Sequence, residues 1–332
     1  MYKIKQLPED FKVKEISNVN NEENGQYAYY ILKKINLTTL DALQILSKKF
    51  KIPLKNFGFA GNKDKNAITE QKISIFRGSK NFKNDKFNNI ELTYIGNGKN
   101  PISLGNLEGN EFLIIIRNLD NQEIEKIKKI KNKKIIVPNL YGPQRFSKNN
   151  HLIGNALIKM EFKKAIDYIL ENNGQIEKQI KQYLEKNKSN YVEALRLIPL
   201  KTRKLFVHSY QSYLFNKIAG EYLKKNKKSK NIKIPLIGFN LEINSKRNAA
   251  LKSIIKKTIV EEKINARDFI ISQIPELTSE GGMRNLYFEL KDLKILDIAD
   301  DELNHKKKIK INFVLPKSCY ATTAIEFIFQ SS

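Results

Sequence analysis

Gly58-Phe59-Ala60-Gly61-Asn62-Lys63-Asp64-Lys65-Asn66-Ala67 is a loop with a helix on one side and a strand on the other. Before it, Thr38 and Thr39 can cap a helix that carries Leu40, Leu43, Leu46 and Phe50 at helical spacing and ends at Pro53. After it, Lys72 to Phe76 reads as a strand. Working outward, Phe11-Lys12-Val13-Lys14-Glu15-Ile16 alternates apolar and polar residues as a half-buried strand does. Tyr27 to Leu32 is β-rich, and Ile90 to Tyr94 and Phe112 to Arg117 are further strands, with Gly105 and Gly109 marking turns. Asp120 caps a helix through Lys131, in which Ile124, Ile127 and Ile130 face one way and lysines the other.

After Pro138 the texture changes. Leu152 to Leu170, Gln175 to Lys186 and Lys201 to Lys225 carry helical periodicity, with Gly174 as a C-cap. Lys224 to Lys233 reads as a solvated basic loop. Strand-like pieces resume at Pro235 to Leu241 and Asp268 to Ile274, and Lys310 to Leu315 is a closing strand. A sheet-rich start, a helical middle and a returning strand predict an α+β fold with an insertion.

The 332 residues fit about two domains, and a hydrophobic content of 41% supplies their cores. Lys and Arg number 60 against 35 Asp and Glu, a net charge of +25. That excess points to a polyanion, because each phosphate neutralised by a cation releases a counterion. No apolar run approaches the roughly 20 residues of a membrane span, and Met1 to Phe11 has no apolar signal core. Cys319 is the lone cysteine, which excludes an internal disulfide framework and a multi-thiolate metal site. The expectation is a cytoplasmic protein with no membrane partner.

The opening loop is also the densest chemical candidate. Asp64 sits between Lys63 and Lys65, and cations at short range favour an ionised carboxylate, which can act as nucleophile or general base. Taken alone, the segment reads more readily as a solvated turn, since Gly, Asn, Asp and Lys are common turn chemistry. It does not match a guanine-reading Asn-Lys-x-Asp, and the chain has no Gly-x-x-x-x-Gly-Lys-Ser/Thr phosphate loop, so a GTPase is rejected. His151, His208 and His305 have no metal-ligand spacing. Pro138-Asn139-Leu140-Tyr141-Gly142-Pro143-Gln144-Arg145-Phe146 gathers an amide, an aromatic and an arginine around a turn, the inventory of a pocket that stacks on a flat ring. It is also compatible with a β-turn holding a buried Tyr. Val207 to Asn216 reads as core-packing helix, and Leu315 to Thr322 as a strand-end turn.

Together these segments resemble, in their order, the TruD family of tRNA pseudouridine synthases, which includes the archaeal and eukaryotic Pus7-type enzymes. The resemblance rests on Lys5-x-x-Pro8-Glu9-Asp10-Phe11-x-Val13-x-Glu15 and on Phe59-Ala60-Gly61-x-Lys63-Asp64-Lys65-x-Ala67-x-Thr69-Glu70-Gln71. Leu104-Gly105-x-Leu107-x-Gly109-Asn110-x-Phe112, Pro138 to Phe146, Ser209 to Asn216 and Leu315-Pro316-x-Ser318-x-Tyr320-Ala321-Thr322 extend it along the chain. It is weakest between about 220 and 305, where Gly281-Gly282-Met283-Arg284 is only loosely similar.

The resemblance implies a catalytic domain with a mixed, mainly antiparallel sheet at 1–152 and 306–332, interrupted by an inserted α/β TRUD domain at 153–305. It implies Asp64 as catalytic aspartate with Lys5 as its basic partner. Asn139, Tyr141, Lys63 and Arg145 are implied as substrate-binding residues, with Tyr141 where the family usually has Phe. The implied activity is isomerisation of uridine to pseudouridine, at U13 of tRNA. Breaking N1–C1′ and joining C5 to C1′ oxidises and hydrolyses nothing, so no cofactor or metal is expected. tRNA is the expected partner of a monomer. The competing expectation is a non-catalytic RNA-binding or RNA-chaperone protein on the same fold.

Overall fold

The computed structural model describes residues 1–22, 24–79, 82, 85–87, 89–130, 134–226, 231–241 and 248–330. Phe11–Ser17 is strand β1, with Phe11, Val13 and Glu15 buried and Lys12 and Lys14 exposed. Tyr27–Ile35 is β2. Helix α1, Thr39–Phe50, starts at a reciprocal cap: Thr38 Oγ1 accepts from the Asp41 amide, and Asp41 accepts from the Thr38 amide. Then come β3 (Phe57–Phe59), β4 (Ile68–Phe76), β5 (Asp85–Phe87), β6 (Ile90–Gly98) and β7 (Leu107–Leu119). Helix α2 (Asn121–Ile130) and β8 (Ile135–Pro138) close this run. Asp120 caps α2 as expected, with Glu123 accepting in return from the Asp120 amide, while Lys131 lies outside the described residues.

The middle of the chain holds α3 (Asn150–Ile158), α4 (Phe162–Leu170), α5 (Gln175–Lys186), α6 (Tyr191–Arg196) and α7 (Leu200–Lys225). Strand β9 (Lys233–Leu236), α8 (Ala249–Glu262) and β10 (Gly282–Asn285) follow. The chain ends in β11 (Tyr287–Asp301), β12 (Lys306–Pro316) and α9 (Ala321–Gln330).

Two units result, Met1–Val137 with Phe288–Ser332, and Pro138–Tyr287. In the first, ten strands form one sheet in the order β5-β6-β2-β4-β1-β7-β12-β11-β8, with β3 added to β4. β1 and β4 run parallel, Lys12 opposite Ile68. The neighbouring pairs β5–β6, β6–β2, β2–β4, β1–β7, β7–β12, β12–β11 and β3–β4 are antiparallel. The fold is thus α+β on a mixed, mostly antiparallel sheet. Leu43 and Leu46 of α1 pack on Tyr30, Leu32, Ile73 and Ile75. Ile127 of α2 and Ile325 of α9 share a second core with Phe11, Ile114 and Phe313.

The second unit is built on α7, whose Phe206, Val207, Tyr210, Leu214 and Phe215 share one core with residues of α3, α4 and α8. At Gly154 a Cβ would stand 2.1 Å from the Phe206 carbonyl oxygen, so only glycine lets α3 come this close to α7. β9 and β10 pair antiparallel. No helix among the described residues is long and apolar enough to cross a membrane.

The single helix read over Leu152 to Leu170 is two, α3 and α4, broken at Met160 with φ 57°. Both halves bury apolar residues, so the periodicity runs through the break unchanged. Gly174 is not a C-cap: it stands before α5 with extended backbone. Asp268 to Ile274 is no strand, because Asn265 and Asp268 cap a 3₁₀ turn there while Phe269, Ile271 and Ile274 are all buried. Pro235 to Leu241 is strand only through Leu236. Of the basic stretch Lys224 to Lys233, residues 227–230 lie outside the described residues. The unit boundaries at 137/138 and 287/288 differ from those read at 152 and 306, because β11 belongs to the large sheet.

Candidate active site

In the first unit, Lys5 and Asp64 meet: Lys5 Nζ lies 3.1 Å from Asp64 Oδ2. Their side chains are 16% and 34% exposed, so the pair is accessible but largely shielded. The Lys5 ammonium also sits 4.0 Å from the centre of the Phe11 ring, a contact that favours a partly desolvated cation. Local structure explains how Lys5 reaches this place. Lys3 bridges the Arg117 backbone through two 2.9 Å hydrogen bonds, and Lys5 turns the chain with φ 59°. Pro8 opens a 3₁₀ turn closed by Asp10, whose carboxylate accepts from the Leu7 amide. That carboxylate also takes two 3.0 Å bonds from Arg117 Nε and a 2.8 Å contact from Nη2. The Lys-x-x-Pro-Glu-Asp-Phe motif is therefore a strap, buckled by Asp10 onto Arg117.

The loop bearing Asp64 is not a solvated turn. Ala60 and Ala67 are fully buried and Lys63 nearly so. Gly61 takes φ 143°, a conformation side chains rarely adopt. Gln71 Nε2 donates to Gly61 O, Thr39 Oγ1 donates to Gln71 Oε1, and the Lys63 amide donates to Thr39 Oγ1. Lys34, fully buried on β2, donates to the carbonyls of Asp64 at 2.8 Å and Leu37 at 2.6 Å. Burial lowers the pKa of this lysine to about 8, against the opposing pull of the Asp64 carboxylate.

Lys63 is held inside the protein. Its ammonium turns inward, 2.7 Å from Glu15 Oε2 and 3.0 Å from Asn110 Oδ1, with both members of the ion pair buried. These contacts tie the loop to β1, where Glu15 stands, and to β7, where Asn110 stands.

Asn139, Tyr141 and Arg145 lie in the second unit. Asn216 of α7 pins Tyr141 from both sides, accepting from its amide at 2.8 Å and donating to its carbonyl at 2.9 Å. The Tyr141 ring stands edge-on to Phe215, centroids 5.6 Å apart. Arg145 Nε donates to Ser212 Oγ, and Ser209 Oγ donates to the Arg145 carbonyl. Gln211 Nε2 donates to the carbonyls of Ile237 and Glu280. The helix read as core packing thus also supplies the polar frame of the Asn139–Arg145 loop. Asn139 itself is buried against Arg284, the last residue of the loosely similar Gly281 to Arg284 segment. Among the described residues no three His, Cys, Asp or Glu side chains gather as a metal set.

No motif marks a role for Lys34 or Arg117, and Arg284 stands only in a loosely similar segment. A signal existed for the first: Ala28, Tyr30, Leu32 and Lys34 share one parity of β2, so the lysine falls on the core face.

A family model described as "TruD: tRNA pseudouridine synthase D (TruD)" matches residues 2–182, 169–230 and 221–326. The chain is 30% identical to the tRNA pseudouridine synthase D of Aquifex aeolicus (strain VF5) over a 389-residue alignment, covering 99% of this chain and 98% of that one. It is 32% identical to the probable tRNA pseudouridine synthase D of Nanoarchaeum equitans (strain Kin4-M), with 98% of each chain covered. Among solved structures, the putative tRNA pseudouridine synthase D (TruD) from Methanosarcina mazei superposes with a TM-score of 0.72 at 27% identity, over 99% of this chain and 93% of that one.

Proposed function

The chain belongs to the TruD family of tRNA pseudouridine synthases, and from that premise we propose that it converts U13 of tRNA to pseudouridine without a cofactor, with Asp64 as the reacting carboxylate. The observation that carries the assignment is the Lys5–Asp64 ion pair on a loop locked from beneath.

The reaction is an isomerisation. N1–C1′ breaks, the uracil turns, C5 joins C1′, and the proton lost from C5 is balanced by one gained at N1. No electrons or groups leave the nucleoside, so the balance needs no co-reactant. A carboxylate suits the first step as nucleophile or base, and Lys5 supplies its counter-charge. The target must leave its stack, at a cost of a few kcal/mol, which backbone contacts from a chain of net charge +25 help to offset. We assign Asn139, Tyr141 and Arg145 to the nucleotide: an aromatic wall, an amide for the polar edge and a cation beside them. The sheet unit is on this reading the catalytic domain, and Pro138–Tyr287 the inserted one.

The test is to incubate the protein with unmodified tRNA and map pseudouridine at nucleotide resolution. The expected result is a single new pseudouridine at position 13. Modification only elsewhere overturns the site, and binding without conversion at any position overturns the enzymatic assignment.

Lys34 sets a pH dependence. Its ammonium is held at the Asp64 carbonyl, and its folded pKa of about 8 leaves it charged below that pH and neutral above. A neutral amine still has two hydrogens for the two carbonyls, so what disappears is charge. The charge-assisted bond that holds the Asp64 carbonyl becomes a neutral one of about half the strength, and the looser carboxylate is expected to lower the rate about tenfold. kcat/KM is therefore expected to fall above pH about 8. Lys34→Met should start lower and show no such alkaline limb. A pH–rate profile of both proteins checks this.

A further inference from the structure

Arg284 lies on β10, opposite Ile234 of β9, with its side chain buried. Its Nε donates to Asn139 O at 3.0 Å and its Nη2 to Asn139 Oδ1 at 2.6 Å. Its guanidinium carbon stands 4.1 Å from the centre of the Tyr141 ring, against 5.7 Å for Arg145. One side chain, 145 residues along the chain, thus touches both members of the proposed uracil-binding pair.

The contacts decide how Asn139 is presented. Asn139 Nδ2 donates to Asn285 O at 3.1 Å, while Oδ1 faces the guanidinium. Turning the amide over would set its NH₂ against a cationic donor and its oxygen against a carbonyl, losing two hydrogen bonds at once. The orientation is therefore fixed from within the protein. Beyond these bonds an amide keeps one hydrogen and one oxygen lone pair, the complement of the N3–H and carbonyl edge of uracil. The same guanidinium lies over the Tyr141 ring, which fixes the plane of the aromatic side chain.

We propose that Arg284 is a positioning residue for uridine recognition, acting through Asn139, whose amide it orients, and Tyr141, whose ring it backs. The proposal rests on the assignment of those two residues to the nucleotide. Arg284 does not touch the substrate; it makes the recognition surface rigid before the base arrives. Lysine cannot replace it, since a single ammonium cannot both fork onto an amide and lie flat on a ring.

The experiment measures kcat and KM on tRNA, with melting temperatures, for Arg284→Lys, Asn139→Ala, Tyr141→Ala and the double variant Arg284→Lys/Asn139→Ala. Arg284→Lys is expected to lower kcat about a hundredfold, the usual cost of a small misplacement, with KM for tRNA unchanged. In the double variant it should add far less than about a hundredfold to the loss caused by Asn139→Ala, because only its backing of Tyr141 is left to lose. A merely structural role would lower the melting temperature and multiply independently with Asn139→Ala. Should Arg284→Lys not fold, Arg284→Gln, which keeps a donor for Asn139 Oδ1, is read in the same way. Wild-type kcat in the Arg284 variant, or losses that multiply, overturn the proposal while Asn139 keeps its place at the nucleotide. Wild-type kcat in both Asn139→Ala and Tyr141→Ala removes the underlying assignment, and the proposal with it.

Discussion

Asp64→Asn is expected to lower kcat for pseudouridine formation by on the order of ten-thousandfold, the scale at which a catalytic carboxylate is missed, while tRNA binding and the melting temperature stay at wild-type values. The two side chains have nearly the same shape, so the variant removes charge and little else. None of the bonds that shape the loop uses the Asp64 carboxylate: Lys34 holds its main-chain carbonyl, Thr39 holds the Lys63 amide, and Gln71 holds Gly61. The loop should keep its path. Lys5 loses its ionic partner but retains its seat on Phe11 and some access to water, so the strap has no reason to detach. Phosphate contacts come from the chain's many other cations, hence binding should survive. Single-turnover assays with a filter-binding measurement in parallel separate the two quantities. Undiminished turnover would show that Asp64 is not the reacting group. Loss of binding together with turnover would mean that the loop itself had collapsed.

How much of this was legible in the sequence depends on the range of the interaction concerned. Phe11 to Ile16 shows its strand because alternation is local, and Thr38 shows the start of α1 because a cap acts within one turn. The pairing of Lys5 with Asp64 came from the order of motifs, since no local pattern links residues 59 positions apart. The inward turn of Lys63 is not legible locally, because a lysine in a Gly/Asn/Asp loop reads as solvated and its partner Glu15 stands on a distant strand, β1. Glu15 does share the inward parity of Phe11 and Val13, which marks a carboxylate in need of a buried cation. The break at Met160 left no trace because both flanking helices need an apolar face. Arg284 was hidden for another reason: β10 is four residues long, too short for any alternation to stand out.

Arg117 belongs to the same class, and its removal carries the largest expected cost in stability. The guanidinium is almost wholly buried between two buried carboxylates, Asp10 and Asp301, and reaches the exposed Glu302. Asp301 is held further by the Asn118 amide at 2.9 Å and Asn304 Nδ2 at 2.7 Å. Burial works to raise its pKa, but the bonds from Asn118, Asn304, Leu303 and Arg117 outweigh burial and bring it down to about 2. A folded pKa below the unfolded value of 3.8 means that this stabilisation is present above about pH 4 and is lost as pH falls through 2. Arg117→Met leaves two carboxylates buried without their cation, which costs about 3–5 kcal/mol, a large share of the 5–15 kcal/mol that a domain commands. Denaturant titration at neutral pH should show a lower midpoint with an unchanged slope. Adding Asp10→Asn to Arg117→Met should recover part of the loss, because the stranded charge, more than the missing attraction, does the damage. Turnover should suffer even where the variant is folded: the Asp10 buckle is what brings Lys5 to Asp64. A midpoint equal to that of the wild type would mean that the strap is held by its backbone bridge at Lys3 alone, and that the buried ion network is incidental to the site.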